Sequence, residues 1–325
     1  MKVAWYNRNG EAREVLHLDE WPDPQPAAGE VRVRLVTSGV NPSDVKSRRG
    51  RAPAWDHIVP HSDGAGVIDA VGGGVPEARV GERVWIWNGQ WQRPFGTAAE
   101  YIVLPQAQAV PLPDGTDFEA GACFGIPALT ALQALRIAGD VAGRDVLVTG
   151  AGNAVGHYVT QLAARKGARV IATAGHELRQ SHAWAAGAHE VLDYKHGGVA
   201  EQVRALTKGQ GVDVIIDMDL SGTAGLLARG ALKAHGHLVC YGSNQPLQVP
   251  LDFRSLLWGS LNLSFFLVYD LLPRDREATI AELEALLRAG CLKHAIGARF
   301  PLAQIAAAHE AVENGKVVGN VVLTI

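Results

Sequence analysis

The stretch "DVLVTGAGNAVGHYVTQLAARKG", Asp145 to Gly167, decides the fold of this chain. A short apolar run is followed by a cluster of glycines and then by apolar residues at helical spacing, which is the order of a dinucleotide-binding turn. The usual Gly-x-Gly-x-x-Gly spacing is missing, because Val155 stands where the third glycine belongs and Gly156 comes one residue late. The stretch therefore predicts a strand–turn–helix unit that holds a pyrophosphate in a modified turn.

Strands and helices alternate downstream of this turn. The apolar patterns predict strands over 146–149, 169–174, 211–219 and 237–243, and helices over 155–166, 178–186, 201–209 and 224–236. Helices of about ten residues between apolar strands indicate βαβ crossovers and a parallel sheet covered by helices on both faces. The predicted fold class for this part of the chain is α/β, a doubly wound parallel sheet.

The first 120 or so residues read differently, as short strands separated by Gly and Pro. "EVRVRLVTSGV" alternates apolar and polar residues, and "GERVWIW" and "TAAEYIVLP" follow as further strands. This spacing predicts a small, mostly antiparallel β-barrel. After Leu267 the βα series stops, and the last segment is predicted to return to the barrel. We expect a discontinuous barrel domain over 1–121 and 268–325 and a nucleotide-binding domain over 122–267.

The composition excludes several function classes. A net charge of −3, with 19% charged residues, argues against general binding of nucleic acid or anionic membranes. No apolar run reaches the roughly 18 residues needed to span a bilayer, and "MKVAWYNRNG" lacks the apolar region of a signal peptide. The three cysteines are far apart and form no C-x-x-C pair, which predicts a reducing compartment, most simply the cytoplasm.

At the glycine turn the chain resembles the zinc-free quinone oxidoreductases, the zeta-crystallin-like branch of the medium-chain dehydrogenase/reductase superfamily. Their turn has the form Gly/Ala-Ala-x-Gly-Gly-Val-Gly; Gly150, Ala151, Val155 and Gly156 match it, while Asn153 and Ala154 replace its two central glycines. The ending "AAAHEAVENGKVVGNVVL" also matches the family's "AHE…G…GK". The resemblance implies a GroES-like β-barrel catalytic domain joined to a Rossmann domain.

On this register Gly156 is the glycine that lets helix and strand pack closely. Asn153 is then the residue nearest the pyrophosphate. Since Asn tolerates positive φ better than most residues, we expect the turn to survive, with a looser phosphate cradle.

The end of the second predicted strand, Ala174-Gly175, carries no carboxylate to bind the ribose 2′-hydroxyl of NAD. The resemblance places Arg179 and Tyr194 near the 2′-phosphate of NADP. NADPH is therefore favoured over NADH, with an ordinary solvated helix residue as the alternative reading of Arg179.

The residues predict a chain without zinc. The catalytic cysteine of the related zinc alcohol dehydrogenases would fall at Asn41, and Ser62 and Asp63 stand where those enzymes have His and Glu. The adjacent His61 is interpreted as a loop histidine. Without metal to polarise an oxygen, the expected hydride acceptors are already activated by conjugation: quinones, enones and enals.

The resemblance also implies the residues of the reaction centre. Asn41 is expected to donate to a substrate carbonyl or to the nicotinamide ribose, and Thr130 to lie against the nicotinamide. Lys46 replaces a tyrosine common in relatives; it either assists an oxyanion or proton transfer, or points to solvent. Trp87 and Trp91 either line an apolar cleft or belong to the barrel. The full cofactor-binding set is Asn41, Thr130, Gly150, Ala151, Asn153, Ala154, Val155, Gly175, Arg179, Tyr194, Gly242, Ser243, Phe265, Phe266 and Lys316.

These expectations add up to an NADPH-dependent oxidoreductase acting on quinones or α,β-unsaturated carbonyls. The alternatives are an alcohol dehydrogenase of the same superfamily and a catalytically silent NADPH-binding sensor or structural protein. The family is commonly dimeric, and the apolar text "SLNLSFFLV" suits a Rossmann edge strand that pairs with a second copy.

Overall fold

A computed structural model describes residues 1–245 and 247–325. Within these ranges the strands are, in chain order, β1 (Lys2–Trp5), β2 (His17–Glu20), β3 (Glu30–Val40), β4 (Asp63–Val71), β5 (Arg83–Ile86), β6 (Tyr101–Pro105), β7 (Ala109–Pro111), β8 (Asp145–Val148), β9 (Arg169–Thr173), β10 (Glu190–Leu192), β11 (Val212–Asp217), β12 (Leu232–Cys240), β13 (Asn262–Phe265), β14 (Ile296–Pro301) and β15 (Asn320–Thr324).

The α-helices in the same ranges are α1 (Ala12–Val15), α2 (Pro42–Gly50), α3 (Phe118–Gly121), α4 (Leu129–Ala138), α5 (Ala154–Arg165), α6 (Glu177–Ala185), α7 (Val199–Leu206), α8 (Leu220–Ala228), α9 (Phe253–Trp258), α10 (Pro273–Arg288) and α11 (Ile305–Glu313). No helix in the described part of the chain combines the length and the apolar character needed to cross a membrane.

The chain forms two compact units. The first comprises Met1–Ile126 and Glu284–Ile325, and the second comprises Pro127–Leu283. Both transitions fall later in the chain than the predicted 121/122 and 267/268. At the C-terminal transition, two ion pairs join α10 to the second unit: Asp275 lies 3.8 Å from Arg136, and Glu282 lies 2.8 Å from Lys166.

The second unit contains the doubly wound sheet. Its strand order is β10-β9-β8-β11-β12-β13, and every neighbouring pair is parallel. The core residues of the central strands, such as Leu147, Ile171, Ile215 and Leu238, are completely buried, as expected when helices cover both faces. The α/β Rossmann prediction is confirmed.

One predicted helix ends early. The sequence predicts a helix over 224–236, but α8 stops at Ala228 and the residues from Leu232 onward belong to β12. Gly230 has φ +74°, a left-handed conformation that ends the helix. Leu232 then pairs with Val212 of β11, across an irregularity in the register. Pairing with the buried central strand therefore overrides the helical spacing.

The first unit contains a largely antiparallel sheet. The strand order is β14-β15-β3-β4-β5-β7, with β6 also paired to β3. In β3, Val31, Val33 and Leu35 face the core while the intervening residues do not, which is the predicted alternation. β15 pairs antiparallel with β3, so the C-terminal segment does return to this unit. This arrangement agrees with the predicted GroES-like domain.

Candidate functional site

A cavity of about 420 Å³ opens beside the carboxyl ends of the parallel strands in the second unit. It lies where the strand order reverses between β8 and β11, the usual ligand position in an open α/β sheet. Residues that follow β8, β9, β11 and β12 line it. They include Thr149, Gly150, Gly152, Asn153, Thr173, Ala174, Gly175, Arg179, Tyr194, Met218, Asp219 and Asn244.

The turn after β8 leaves no room for side chains at its glycine positions. Gly150 has φ +67°, and a Cβ added to it would collide with the Met218 side chain. A Cβ on Gly152 would lie 2.6 Å from Cβ of Arg179. In α5, a Cβ on Gly156 would run into the carbonyl oxygen of Gly150. Gly156 is therefore the packing glycine, as predicted, and it brings the helix N-terminus onto the turn.

Asn153 has an ordinary backbone conformation in the turn. Its φ of −96° and ψ of 168° are extended, and Gly150 takes the positive φ of the turn instead. The turn therefore survives without using the tolerance of Asn for positive φ. Asn153 is an ordinary N-cap residue, so the substitution does not strain the turn.

The side chain of Asn153 leaves the N-terminus of α5 uncapped. It makes no capping hydrogen bond; its Nδ2 lies 2.9 Å from Sδ of Met218, and its Oδ1 accepts from Nη1 of Arg179. The N–H groups of the first helical turn have no intrahelical partners, and the helix dipole makes this end attractive to anions. The two glycines of the turn and the uncapped helix end fit a dinucleotide pyrophosphate.

Arg179 and Tyr194, both predicted to contact the 2′-phosphate, line this same cavity. Arg179 is half-buried, and Nη1 also donates to the Gly152 carbonyl at 3.2 Å. Burial lowers its pKa, and Tyr194 opposes that shift. The Tyr194 ring covers Gly175, where an added Cβ would lie 2.7 Å from the ring. The structure thus places one cation and one aromatic ring beside the end of β9.

The remaining predicted residues of the second unit occupy varied positions. Ala151 is buried in the turn, and Ala154 and Val155 begin α5. Gly242 follows β12, and its carbonyl accepts from Leu220 N at 3.1 Å. Ser243 lies next to it, one residue before the cavity-lining Asn244. Thr130 is buried in α4, Phe265 ends β13 and is 58% exposed, and Phe266 N donates to the Cys240 carbonyl at 3.4 Å.

Sequence analysis missed the contribution of β11. Met218 and Asp219 line the cavity, and Asp219 accepts from Nδ2 of Asn244 at 2.7 Å. The buried Asp217 accepts from the Thr149 and Thr223 hydroxyls, both at 2.7 Å. The text "IIDMD" carried the signal, because polar residues directly after a buried parallel strand lie at the ligand-binding edge.

In the first unit, Asn41 is held between two carboxyl groups. Its backbone N–H donates to Asp44 Oδ2 at 2.8 Å, and its Nδ2 donates to Asp63 Oδ2 at 2.9 Å. Burial raises the pKa of Asp44 to about 7, opposed by the bond from Asn41. Burial raises the pKa of Asp63 well above its usual value, again opposed by Asn41 and reinforced by Asp44.

Other predicted features of the first unit are also visible. Lys46 is exposed on α2, and Lys316 is exposed after α11. Trp87 donates through Nε1 to the Ala107 carbonyl at 3.2 Å, which anchors it beside the barrel strands, while Trp91 is half-buried. These roles stay predictions.

His61 lies in the loop before β4, as predicted, and its side chain packs inside the first unit. It is completely buried, with Nδ1 2.9 Å from Ser38 Oγ and Nε2 2.9 Å from Nε2 of His309. Over residues 1–245 and 247–325, no group of three or more His, Cys, Asp or Glu side chains is arranged to hold a metal ion.

Known proteins resemble the whole chain. Residues 27–114 match the alcohol dehydrogenase GroES-like domain family, and residues 186–323 match the family described as zinc-binding dehydrogenase. Human quinone oxidoreductase is 32% identical over 312 residues, covering 93% of this chain and 91% of the human protein.

Two solved structures extend this similarity to the fold. A mycobacterial protein in complex with NADPH is 30% identical, with a TM-score of 0.90, and a protein described as an NAD-dependent alcohol dehydrogenase is 31% identical, with a TM-score of 0.88. Both alignments cover 100% of each chain.

Fold and sequence together define an oxidoreductase of the medium-chain dehydrogenase/reductase type. Within that superfamily, the chain belongs to the zeta-crystallin-like quinone oxidoreductase family.

Proposed function

We propose that this protein is an NADPH-dependent oxidoreductase that reduces quinones or α,β-unsaturated carbonyl compounds without a metal ion. The observation that carries the proposal is the cavity beside the glycine turn, which combines an uncapped helix N-terminus with Arg179 and Tyr194. The first feature suits a pyrophosphate and the second suits the 2′-phosphate that distinguishes NADPH from NADH.

The preference for NADPH rests on the end of β9. NAD enzymes usually place a carboxylate there to accept from the 2′-hydroxyl, and such a charge would repel a 2′-phosphate. Here that position is Gly175, covered by Tyr194, and the half-buried Arg179 guanidinium lies close by. Charge-assisted hydrogen bonds from Arg to phosphate are among the stronger polar contacts in proteins.

The proposed acceptor chemistry rests on Asn41. When bound, NADPH supplies a hydride from C4 of its nicotinamide, and addition to a conjugated acceptor leaves negative charge on the acceptor oxygen until a proton reaches it. Nδ2 of Asn41 carries a second hydrogen beyond the one given to Asp63. A buried, fixed donor stabilises such a developing charge far more than water does.

We propose a reaction without zinc because the residues at the metal-ligand positions of the related zinc enzymes are unsuitable ligands here. A catalytic zinc in this superfamily needs thiolate, imidazole or carboxylate ligands. An amide at Asn41 and a hydroxyl at Ser62 are poor substitutes, and Asp63 is engaged by Asn41.

The alternative of an alcohol dehydrogenase has one observation in its favour, the 31% identity to the structure described as an NAD-dependent alcohol dehydrogenase. The alternative of a silent NADPH-binding protein would be favoured by a distorted glycine turn. Asn153 does not distort it, because its dihedrals are those of an ordinary N-cap residue.

The test is to add NADPH and a panel of quinones, enones and alcohols to purified protein, with and without prior chelator treatment. We expect NADPH oxidation with at least one conjugated acceptor and no loss of rate after chelation. Bound NADPH with no turnover of any acceptor would contradict the proposal. Stoichiometric zinc together with alcohol oxidation would favour the alcohol dehydrogenase.

We also propose that two copies pair through the β13 edge of the sheet. β13 is the outermost strand, and the neighbouring α9 exposes Phe253 (72%) and Trp258 (74%). An exposed edge strand beside exposed apolar side chains is a common protein interface. Light scattering of the wild type should give a dimer mass, and Phe253→Ser with Trp258→Ser should give a monomer. A dimer that survives both changes would place the interface elsewhere.

A further inference from the structure

The orientation of the Asn41 amide is set by its neighbour. A side-chain amide has a donor end and an acceptor end of nearly equal shape, so its partners decide which end it presents. Nδ2 of Asn41 lies 2.9 Å from Oδ2 of Asp63. A reversed amide would lose this hydrogen bond and set two oxygens against each other. An ionised Asp63 therefore fixes the amide with Nδ2 toward the carboxylate.

Asp63 is itself held by a chain of buried side chains whose donors can be assigned. Thr97 donates its only hydroxyl proton to the Asp63 carbonyl at 2.5 Å. Its Oγ1 therefore accepts from the Ser38 hydroxyl at 2.7 Å. Ser38 must then accept from Nδ1–H of His61 at 2.9 Å. Nε2 of His61 thus carries no proton and accepts from Nε2–H of His309, also at 2.9 Å.

This chain has a single arrangement at neutral pH. Each histidine carries one ring proton, so both are neutral, and burial lowers the pKa of His61 to about 3. Burial also lowers the pKa of His309 well below its usual value, with His61 and Arg48 adding to the shift. The histidines, Ser38 and Thr97 are 0% exposed. The hydrogen bond from Thr97 to the Asp63 carbonyl oxygen therefore holds the main chain at Asp63 in one position.

The Asp63 carboxyl is closed on its other side as well. A Cβ added to Gly125 would collide with Oδ1 of Asp63, so the Gly125 backbone covers that oxygen. The titratable groups near Asp63 are Asp44 from α2 and Cys123 from the segment after α3. The other carboxylate oxygen, Oδ2, accepts from Nδ2 of Asn41.

We propose that Asp63 is a positioning residue, whose carboxylate holds the Asn41 amide so that the remaining Nδ2–H points to the acceptor's carbonyl oxygen. This inference rests on the proposed function, which makes Asn41 the donor to that oxygen. Hydride addition places negative charge there, so a donor stabilises the transition state and an amide oxygen would not. A protonated Asp63 donates to Oδ1 of Asn41 instead and turns the amide around.

The test is Asp63→Asn, which keeps the size of the side chain and allows a hydrogen bond to either end of Asn41. Acceptor kcat/KM should fall about 10- to 100-fold, less than the roughly 100- to 1,000-fold for complete removal of an oxyanion donor, because the Asn41 amide itself stays in place. The Kd for NADPH should change less than about twofold. The matched control is Asp69→Asn, the same change on the same strand at a carboxylate paired with Arg32. It should leave both values within about twofold. A full-rate Asp63→Asn enzyme overturns the inference.

A pH profile separates positioning from simple support of the fold. Because the ionised carboxylate is the orienting form and burial raises its pKa, wild-type acceptor kcat/KM should fall as the pH falls through that raised pKa. In Asp63→Asn this fall should disappear. An unchanged profile in the variant would mean that Asp63 only supports the fold.

A second readout does not depend on turnover. With ¹⁵N-labelled asparagine, the Asn41 side chain should show one downfield, slowly exchanging N–H proton, as expected for a charge-assisted bond, and Asp63→Asn should move it upfield. A signal that Asp63→Asn does not move overturns the positioning role. A moving signal in a protein that reduces no acceptor overturns the proposed function instead.

Discussion

The cavity beside the glycine turn and the buried cluster around Asn41 both contain an asparagine that is hydrogen-bonded to a charged side chain, but they differ in solvent access. In the cavity, Arg179 donates a hydrogen bond to Asn153, and in the buried cluster, Asp63 accepts one from Asn41. Arg179 is half-buried and lines an open cavity, whereas Asp63 is completely sealed. A charge in the cavity meets a ligand directly, while a sealed charge acts through its neighbour. Substitutions in the first should change binding, and those in the second should change pH behaviour.

The largest effect should come from the turn itself. In Gly156→Val, the new side chain would strike the Gly150 carbonyl and push α5 away from the turn. Because the phosphate cradle depends on that contact, we expect the Kd for NADPH to rise more than about 100-fold. Fluorescence titration measures it. Gly225→Ala, in α8 with open space around its Cα, is the control. Wild-type affinity in Gly156→Val would refute this view of the turn.

Arg179→Ala tests the charge in the cavity. Losing a charge-assisted contact to the 2′-phosphate should raise the Kd for NADPH about 10- to 100-fold and that for NADH less than about threefold. Arg165→Ala removes an exposed charge from the end of α5 and should change neither value. Equal losses for both cofactors would show that Arg179 only supports the turn through Gly152 and Asn153.

The fold could be predicted from the sequence because the patterns that indicate it are local and recur along the chain. Alternating apolar strands and helices predicted the parallel sheet, and the position of Gly156 predicted the packing of α5. The dihedrals of Asn153 could not be predicted because they depend on which neighbour takes the positive φ. The role of Asp63 was missed because its partners are remote in sequence: Asn41, Thr97 and the chain that ends at His309.

The smallest expected effect is a change in how the stability of the folded protein depends on pH, and it comes from the buried cluster around Asn41. The folded protein keeps a proton on Asp44 up to about pH 7, whereas the unfolded chain releases it near the ordinary carboxyl pKa. The folded state therefore binds more protons between these values, and its stability falls as the pH rises. His61 acts oppositely, because its lowered pKa lets the unfolded chain bind more protons between about pH 3 and 6.5, so stability rises.

Asp44→Asn removes the first contribution and keeps the second. Its free energy of unfolding relative to wild type should therefore grow by roughly 1–3 kcal/mol between about pH 4.5 and 7. Denaturant unfolding at several pH values measures this difference, with Asp69→Asn as the control. A constant difference across the range would mean that Asp44 ionises normally in the folded protein.

The central claim, that the cavity beside the glycine turn is an NADPH site, is tested most directly by a crystal structure with NADPH bound. The account predicts the pyrophosphate at the N-terminus of α5 and the 2′-phosphate in contact with Arg179 and Tyr194. A dinucleotide bound elsewhere, or one whose 2′-phosphate lies away from Arg179, would contradict it.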